Sequence, residues 1–328
     1  MSAINQPDIT VVLCTRNRAE MLRDALLSLG ALKTDGQFTY EVLVVDNGST
    51  DHTCEVIQAA AADLPTRSIW EGALSLPVAR NRGVREARGA WIAFFDDDQL
   101  ADTHWLLELW RVAREKNASC AGGAVRLKLP VEWNGRLRPL SRMLLGETPV
   151  GETPIRYTTR FTPGTGNLMI HRQVFEQIGL FDDAFRLRNE DTELFLRIEK
   201  AGIAGWYNPA ARVEHVIPLS RLRWRYMARL SQQSSQMIPQ LDWQDRGGAW
   251  VFPLLWAARW IRAGGNMLKD LPSASLRRDP GAWLEICSRL GTIIGYSQAA
   301  FKLYRRSVRP LSENIVANAA AWHRRSER

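Results

Sequence analysis

One stretch decides the fold: WIAFFDDD at residues 91–98, in which five apolar side chains run directly into three carboxylates. The apolar run predicts a short buried β-strand. Carboxylates at the end of such a strand lose hydration, which disfavours their charged form unless a partner is present. Mg²⁺ and Mn²⁺ prefer oxygen ligands and complete their shells with water and phosphate oxygens, so Asp96 and Asp98 are candidate metal ligands. An acidic turn or a helix cap remains an open interpretation of these residues taken alone.

The segments around this stretch alternate between strands and helices. Strands are predicted at residues 9–14, 41–46 and 67–70, and a helix is predicted from Pro77 to about Ala87. Asn17 and Glu20 form a capping-box pattern, which predicts that Asn17 caps the first helix. Apolar strands alternating with helices are typical of an α/β fold with a mostly parallel sheet covered on both faces.

Ligands of such sheets bind beyond the carboxyl ends of the strands. The polar residues at those ends are Thr15 to Asn17, Asp46 and the three acids after residue 95. Asp46 is therefore a candidate ligand contact, although an Asp in this position also caps turns. Neither a Walker phosphate loop nor a G-x-G-x-x-G motif is present, so the ordinary nucleotide fingerprints are absent.

Four motifs occur in order along this part of the chain: TRNR at 15–18, VDNGSTD at 45–51, ARNRG at 79–83 and FDDD at 95–98. In order and spacing they resemble the successive motifs of family 2 glycosyltransferases, over residues 8 to 235. The resemblance implies the GT-A fold, a Rossmann-like arrangement, and a UDP-, GDP- or dTDP-linked sugar as donor. It implies that Asp96 and Asp98 form a metal-binding D-x-D motif, with Mg²⁺ or Mn²⁺ as cofactor. It places the donor nucleotide near a set of polar side chains: Thr15, Arg16, Asn17, Asp46, Arg80, Asn81 and Asp97.

A second acidic motif, RNEDTEL at residues 188–194, begins a segment with apolar residues at helical spacing. It resembles the family's E-D motif, which implies that Asp191 is the general base and that Glu190 lies beside it on the acceptor side. The alternative is that both acids only complement the dipole of the helix.

Two further features bear on the same site. Gly166 and Asn167 resemble the family's G-x-N element at the acceptor side, although a plain tight turn also accounts for the glycine. His215 stands where many GT-A enzymes have a His that completes the metal shell, whereas a lone His is often structural. The irregular residues 130–163 are expected to contribute to the acceptor pocket, because long irregular stretches inside compact domains tend to be functional loops.

The C-terminal third differs in charge from the rest of the chain. Residues 219–328 hold 18 Lys and Arg against 7 Asp and Glu, whereas residues 1–218 hold 25 against 28. Seven of the 13 tryptophans lie in the same third, next to apolar runs at 249–258 and 290–301 that are too short to span a bilayer. Trp and Arg beside short apolar helices predict attachment to an anionic membrane surface; a helical cap packed on the catalytic domain is the alternative. No nucleic-acid-binding module is visible, so a nucleic-acid partner is not expected.

The four scattered cysteines have no metal-ligand spacing, and residues 1–7 do not resemble a signal peptide. A cytoplasmic protein is therefore expected, either free or peripheral on the inner face of the cell membrane. We expect a GT-A domain over 1–218, with a donor half of about 1–100 and an acceptor half of about 101–218, and a helical region over 219–328. The expected activity is metal-assisted transfer of a sugar, with inversion, to a sugar or lipid-linked sugar acceptor. A nucleotidyltransferase and a non-enzymatic basic binding protein are the alternatives.

Overall fold

The computed structural model describes residues 6–148, 151–185, 188–246 and 252–308. The chain divides into two compact units, the first made of Met1–Asn134 and Arg142–Leu219 and the second of Gly135–Ser141 and Ser220–Arg328. The second unit thus takes in residues 135–141, a segment within the expected catalytic domain. Residues 247–251 and 309–328, which include the beginning of the first apolar run, lie outside the described residues.

The strands of the first unit form one mixed sheet, in the order β3-β2-β1-β4-β8-β6-β9-β5, with β7 paired to β9. The first four strands in this order are mutually parallel, and β8 is antiparallel to both of its neighbours. The bounds of the strands are β1 (Ile9–Thr15), β2 (Tyr40–Asp46), β3 (Thr66–Trp70), β4 (Trp91–Asp96), β5 (Gln99–Ala101), β6 (Cys120–Lys128), β7 (Ile155–Arg156), β8 (Asn167–His171) and β9 (Gly205–Val216).

Helices cover both faces of this sheet, and each face has its own core. In β1, Ile9, Val11 and Leu13 pack into the core that contains α1 and α4, while Val12 packs into the core that contains α3, α6 and α7. This alternation explains why the strand is apolar at nearly every position. The helices that begin before residue 219 are α1 (Ala19–Gly30), α2 (Thr53–Ala60), α3 (Leu76–Glu86), α4 (Trp105–Glu115), α5 (Pro139–Leu144), α6 (Arg172–Ile178) and α7 (Glu190–Lys200).

The register of the sheet collects the polar motifs at one edge. Thr15 at the end of β1 is paired with Asp46 at the end of β2, and Cys14 is paired with Asp96 at the end of β4. Because β1 lies between β2 and β4, all three strand ends lie at one edge of the sheet, and the region beyond this edge is called the cleft. The mostly parallel α/β sheet expected from the sequence is confirmed.

The second unit is helical, as expected for the C-terminal region. Gly291 and Gly295 of α11 allow a close approach to α8, because a methyl group on them would lie 2.2 Å from the Ala228 carbonyl oxygen and 2.0 Å from that of Gln232. Glu285 is fully buried, and its carboxylate accepts hydrogen bonds from the backbone of Leu140 and Ser141. Among the described residues, no helix combines the length and apolarity needed to cross a membrane. The helices are α8 (Trp224–Ser234), α9 (Ile238–Arg246), α10 (Phe252–Ser275) and α11 (Pro280–Val308).

Candidate active site

Asp97 and Asp98 bind polar groups that follow β1. Asp97 Oδ2 accepts a hydrogen bond from Thr15 Oγ1 at 2.8 Å, and Asp97 Oδ1 pairs with Arg18 Nη1 at 2.7 Å. The same Arg18 nitrogen lies 3.2 Å from Asp98 Oδ2. Burial raises the pKa of Asp97 from 3.8 to about 6, with Arg18 and Thr15 opposing the rise and Asp98 adding to it. The middle acid of the triad therefore holds the loop after β1 in place.

Asp96 belongs to a different set of contacts, centred on the buried Arg80 of α3. Arg80 Nη2 lies 3.4 Å from Asp96 Oδ1, and Arg80 Nη1 pairs with Glu190 Oε1 at the start of α7. Loss of hydration raises the pKa of Asp96, Arg80 lowers it, and the neighbouring charge of Asp98 raises it again. One guanidinium therefore joins the end of β4 to the beginning of α7.

Asp191, the predicted base, follows Glu190 in the first turn of α7. Asn189 precedes this turn in the left-handed conformation, with φ 73°. Asp191 Oδ1 accepts a hydrogen bond from the backbone of Thr192 at 2.7 Å. Burial and then the adjacent charge of Glu190 raise the pKa of Asp191, while Arg80 lowers it. A carboxylate whose pKa is raised towards neutrality is a stronger proton acceptor, which suits a general base.

His215 lies beside Asp98 because β9 pairs with β5, which follows the acidic triad. His215 Nδ1 is 2.8 Å from the Leu145 carbonyl oxygen, which can only accept, so Nδ1 carries the hydrogen. In the neutral ring, Nε2 is then an acceptor that lies 3.4 Å from Asp98 Oδ1. Two acceptors at this distance attract each other only through a cation, either a proton on the ring or a metal ion.

The side chains at this edge of the sheet supply some, but not all, of the ligands that a metal ion needs. No group of three His, Cys, Asp or Glu side chains within the described ranges could hold a metal ion. Asp98 and His215 supply two adjacent donor atoms, and Asp96 lies at the same edge of the sheet. Mg²⁺ is commonly held by one or two protein carboxylates plus substrate phosphates and water. These residues suit a metal ion that binds together with a diphosphate better than one that binds alone.

Gly166 packs directly against the acidic triad. A methyl group at this position would lie 2.4 Å from both Asp96 Oδ2 and Gln99 Nε2, so only glycine leaves the two side chains where they are. At Gly164, in the same loop, a methyl group would lie at an ordinary 3.8 Å from Asp191 Oδ2. The loop before β8 thus passes close to both the triad and the predicted base.

The amide groups of Asn81 and Asn167 are bound within the protein. Asn81 Nδ2 donates to the Phe181 carbonyl at 2.8 Å, and Asn81 Oδ1 accepts from the Phe181 backbone at 2.9 Å. Asn167 Oδ1 accepts from Trp105 Nε1 at 2.7 Å, and its nitrogen donates to two backbone carbonyls, those of Ala124 and Ala211. Both residues fix neighbouring backbone, and their contact with ligands stays a prediction.

The predicted capping box at the start of α1 is wrong. Asn17 has a left-handed backbone with φ 51°, and its Oδ1 accepts from the Thr50 backbone at 2.7 Å in the loop after β2. Asp51 of that loop accepts a hydrogen bond from the Ala19 backbone at 3.2 Å instead. A partner 32 residues away takes the place of the local cap because β1 and β2 are paired and bring their loops together.

The other predicted donor residues lie around the same two loops. Asp46 is half-buried, and its Oδ1 accepts from the Ser49 backbone at 2.8 Å. Arg16 is exposed. Arg18 and Gln99 are not among the predicted site residues, although Arg18 lies inside the TRNR motif and Gln99 directly follows the triad. Gln99 is 4% exposed, and its Oε1 has no hydrogen-bond partner among the described residues.

Comparison with known proteins gives consistent results. The model of the family "Glycosyl transferase family 2" matches residues 10–179, just over half of the chain. The succinoglycan biosynthesis protein ExoM of Rhizobium meliloti (strain 1021) is 26% identical over 282 residues, which is 82% of this chain and 87% of that protein. The O-antigen biosynthesis protein RfbC of Myxococcus xanthus is 27% identical over 231 residues, which is 66% of this chain but only 18% of that protein.

Two solved structures have a similar fold. The mannosyltransferase PcManGT from Pyrobaculum calidifontis, in complex with GDP-Man and Mn²⁺, superposes with a TM-score of 0.56 at 17% identity, covering 97% of this chain and 81% of that one. S. aureus TarS 1-349 in complex with UDP-GlcNAc superposes with a TM-score of 0.51 at 17% identity, covering 92% of each chain. At such identities the likeness concerns the fold. The chain has the GT-A fold and belongs to glycosyltransferase family 2, a family of sugar-transferring enzymes.

Proposed function

We propose that this enzyme transfers a sugar from a nucleoside-diphosphate sugar to an acceptor hydroxyl, with inversion at the anomeric carbon and Asp191 as the general base. The observation that carries the proposal is the Arg80 bridge, which contacts both Asp96 of the triad and Glu190 next to Asp191. The predicted base and the predicted diphosphate site therefore border one cleft. A base on the acceptor side of that cleft suits a single displacement, which inverts the configuration.

In this mechanism Asp191 accepts the proton of the acceptor hydroxyl while its oxygen attacks the anomeric carbon. The bond from that carbon to the diphosphate oxygen breaks, and the nucleoside diphosphate leaves with the electron pair. Arg80 holds Glu190 and Asp96 at a fixed separation, and its positive charge offsets the charge that Asp191 would otherwise meet there. The raised pKa of Asp191 favours proton uptake, and the charge of Arg80 opposes the rise.

Mg²⁺ or Mn²⁺ is the proposed cofactor, held by Asp98 and His215 with Asp96 nearby. When bound, the metal ion would offset the negative charge that develops on the departing diphosphate. The adjacent donor atoms Asp98 Oδ1 and His215 Nε2 support a site that the diphosphate completes. Arg18 pairs with both Asp97 and Asp98, and this contact orients the third acid of the triad.

The donor side of the proposed site is formed by the loops after β1 and β2 and by α3, and a UDP-, GDP- or dTDP-linked sugar is the proposed class of donor. The proposed donor contacts are Thr15, Arg16, Asn17, Asp46, Arg80, Asn81 and Asp97. Gly166, Asn167 and Glu190 are proposed on the acceptor side. The named relatives in succinoglycan and O-antigen biosynthesis support a role in cell-surface polysaccharide or glycolipid synthesis. The proposed acceptor is a sugar or lipid-linked sugar, and the proposed place of action is the inner face of the membrane.

The proposal is tested with Asp191→Asn, which keeps the size of the side chain and removes its basicity. Turnover with Mn²⁺ and a panel of donors should fall by about 10²- to 10⁴-fold, the usual contribution of a general base. Donor affinity, measured by calorimetry, should stay unchanged. Glu193→Gln on the same helix, which removes an ion pair with Arg197, is the matched control and should keep near-native turnover.

The products separate this activity from its alternative. A sugar transferase releases free nucleoside diphosphate without pyrophosphate, whereas a nucleotidyltransferase releases pyrophosphate. Near-native turnover of Asp191→Asn at saturating donor would show that another group is the base. Pyrophosphate release in place of nucleoside diphosphate would overturn the proposed reaction.

A further inference from the structure

The long helix α10 of the second unit turns apolar side chains towards solvent. Leu254, Ile261 and Leu268 are 71%, 75% and 70% exposed, and each follows the previous one after seven residues, which is about two helical turns. They therefore lie in one row along the helix. The opposite face of α10 packs inward through residues such as the buried Asp270 and Ala274. A helix of an ordinary monomer turns its polar face outwards, so this row needs a partner.

The flanks of the row are basic on one side and apolar or aromatic on the other. Arg262 and Lys269 directly follow Ile261 and Leu268, so they lie along the same flank, and both are exposed. The exposed Trp260 and Leu271 lie on the opposite flank. A row of apolar side chains with cations along one edge and Trp beside it is the arrangement of helices that lie in the interface of a membrane.

The acidic side chains that the structure describes in this unit pair with arginines away from the row. Within the described part of the unit, the carboxylates of Asp242, Asp270, Asp279 and Glu285 each pair with an arginine of the same unit, namely Arg259, Arg138 or Arg289. These acids therefore neutralise arginines of their own unit. The cations at the surface, such as Arg262 and Lys269, are left to act on whatever lies against α10.

We propose that the outward face of α10, formed by Leu254, Ile261, Leu268, Arg262 and Lys269, docks on an anionic phospholipid surface. The apolar row would insert at the level of the headgroups, and the cations would meet lipid phosphates. A second copy of this chain is the less suitable occupant, because a symmetric contact would bring the same cations together. The inference is independent of the proposed transferase reaction.

The test is flotation of the full-length chain with vesicles of phosphatidylcholine alone or of phosphatidylcholine mixed with phosphatidylglycerol. The protein should float with the anionic vesicles at low salt and bind neutral vesicles far more weakly. High salt should weaken the binding to anionic vesicles without abolishing it. Ile261→Gln with Leu268→Gln should lower the partition coefficient by at least about tenfold, because apolar insertion is lost. Arg262→Gln with Lys269→Gln should lower it by about tenfold or more, whereas Lys269→Arg should bind like the native chain.

Leu27→Gln is the matched control, because Leu27 is equally exposed, at 68%, on α1 of the first unit. It should leave flotation unchanged, and circular dichroism should show that all variants are folded. Asp191→Asn should float like the native chain, so a failure of the proposed reaction and a failure of this inference are distinguishable.

Three outcomes would overturn the inference. One is a full-length chain that ignores anionic vesicles at low salt. Another is equal loss of flotation in Leu27→Gln and in the α10 variants. The third is a stable dimer, seen by light scattering without lipid, that dissociates on Ile261→Gln with Leu268→Gln, which would assign the row to a second copy.

Discussion

At the scale of single residues, Arg80 joins two acids of the candidate site. It is 5% exposed and contacts Glu190 and Asp96, which are far apart in the sequence. A buried guanidinium is stabilised by the two acids, and each acid is stabilised by it, so loss of one partner leaves an uncompensated charge. Substitution of Glu190 should therefore change the pKa of Asp191, through the loss of charge rather than through a change in packing.

This dependence predicts a change in the pH profile of Glu190→Gln. Glu190 raises the pKa of Asp191 and Arg80 lowers it, so removing the acid leaves the lowering effect of Arg80 unbalanced. A general base works when ionised, so activity falls as the pH drops through its pKa. The acidic limb of the kcat/KM profile should move to lower pH in Glu190→Gln and stay in place in Glu193→Gln. A limb that moves to higher pH would contradict the assignment.

At the scale of elements, the antiparallel strand β8 is what brings the acceptor-side loop to the triad. Inserted between β4 and β6, it begins at Asn167 opposite Phe95, one residue before Asp96. The loop before it must then cross the triad at Gly166. A parallel strand in this place would put its carboxyl end at the cleft, and its preceding loop would lie at the far edge of the sheet.

Gly166→Ala is predicted to impair catalysis more than stability. The added methyl group would lie 2.4 Å from the ends of two side chains, those of Asp96 and Gln99, which can turn away without moving backbone. Misplacing a positioned group by about 1 Å can reduce the rate roughly 10²-fold, and a loss of this order is expected here. Gly164→Ala, where the methyl group has ordinary space, is the matched control. Equal turnover of the two variants, at similar melting temperatures, would contradict this role of Gly166.

At the scale of the whole molecule, the site and the basic surface lie in different units of the chain. The residues of the cleft belong to the first unit, whereas the C-terminal third carries a net charge of +11. A ligand that binds only the folded cleft stabilises the folded state by mass action. Thermal unfolding of the full chain therefore tests whether the proposed metal site is complete without a diphosphate.

Mn²⁺ and a nucleoside diphosphate should raise the melting temperature together by more than the sum of their separate effects. The reason is that the described residues supply fewer than the three His, Cys, Asp or Glu ligands of a closed protein site, and the diphosphate supplies the rest. Asp98→Ala should remove this synergy, because the phosphates would then meet carboxylates without a cation between them. Asp24→Ala, an exposed acid of α1, should retain it. Purely additive shifts in the native chain would argue against a shared site for metal and diphosphate.

Much of the fold was predictable from local pattern. The predicted strands at 9–14, 41–46 and 67–70 and the helix from Pro77 agree with the observed elements to within a residue or two. The periodicity of apolar residues is a property of the local sequence, so it predicts helices and strands without knowledge of the tertiary structure. The capping box failed because Asn17 has a tertiary partner, Thr50, that local pattern cannot reveal. The segment at 135–141 joined the second unit for a similar reason, since buried Glu285 binds its backbone.

The sequence by itself determined the class of fold, the family and the identity of the acids that end β4 and begin α7, because motifs and apolar runs are contiguous. Only the tertiary structure decided which of these groups meet. Arg80 and Glu190 are 110 residues apart, and His215 reaches Asp98 through the pairing of β9 with β5. The exposure of the apolar row on α10 was likewise not predictable from the sequence. The seven-residue spacing shows that the three side chains share a face of the helix, but it does not show whether that face is buried or exposed. Strand order and the choice of buried face are set by long-range packing, which local periodicity does not encode.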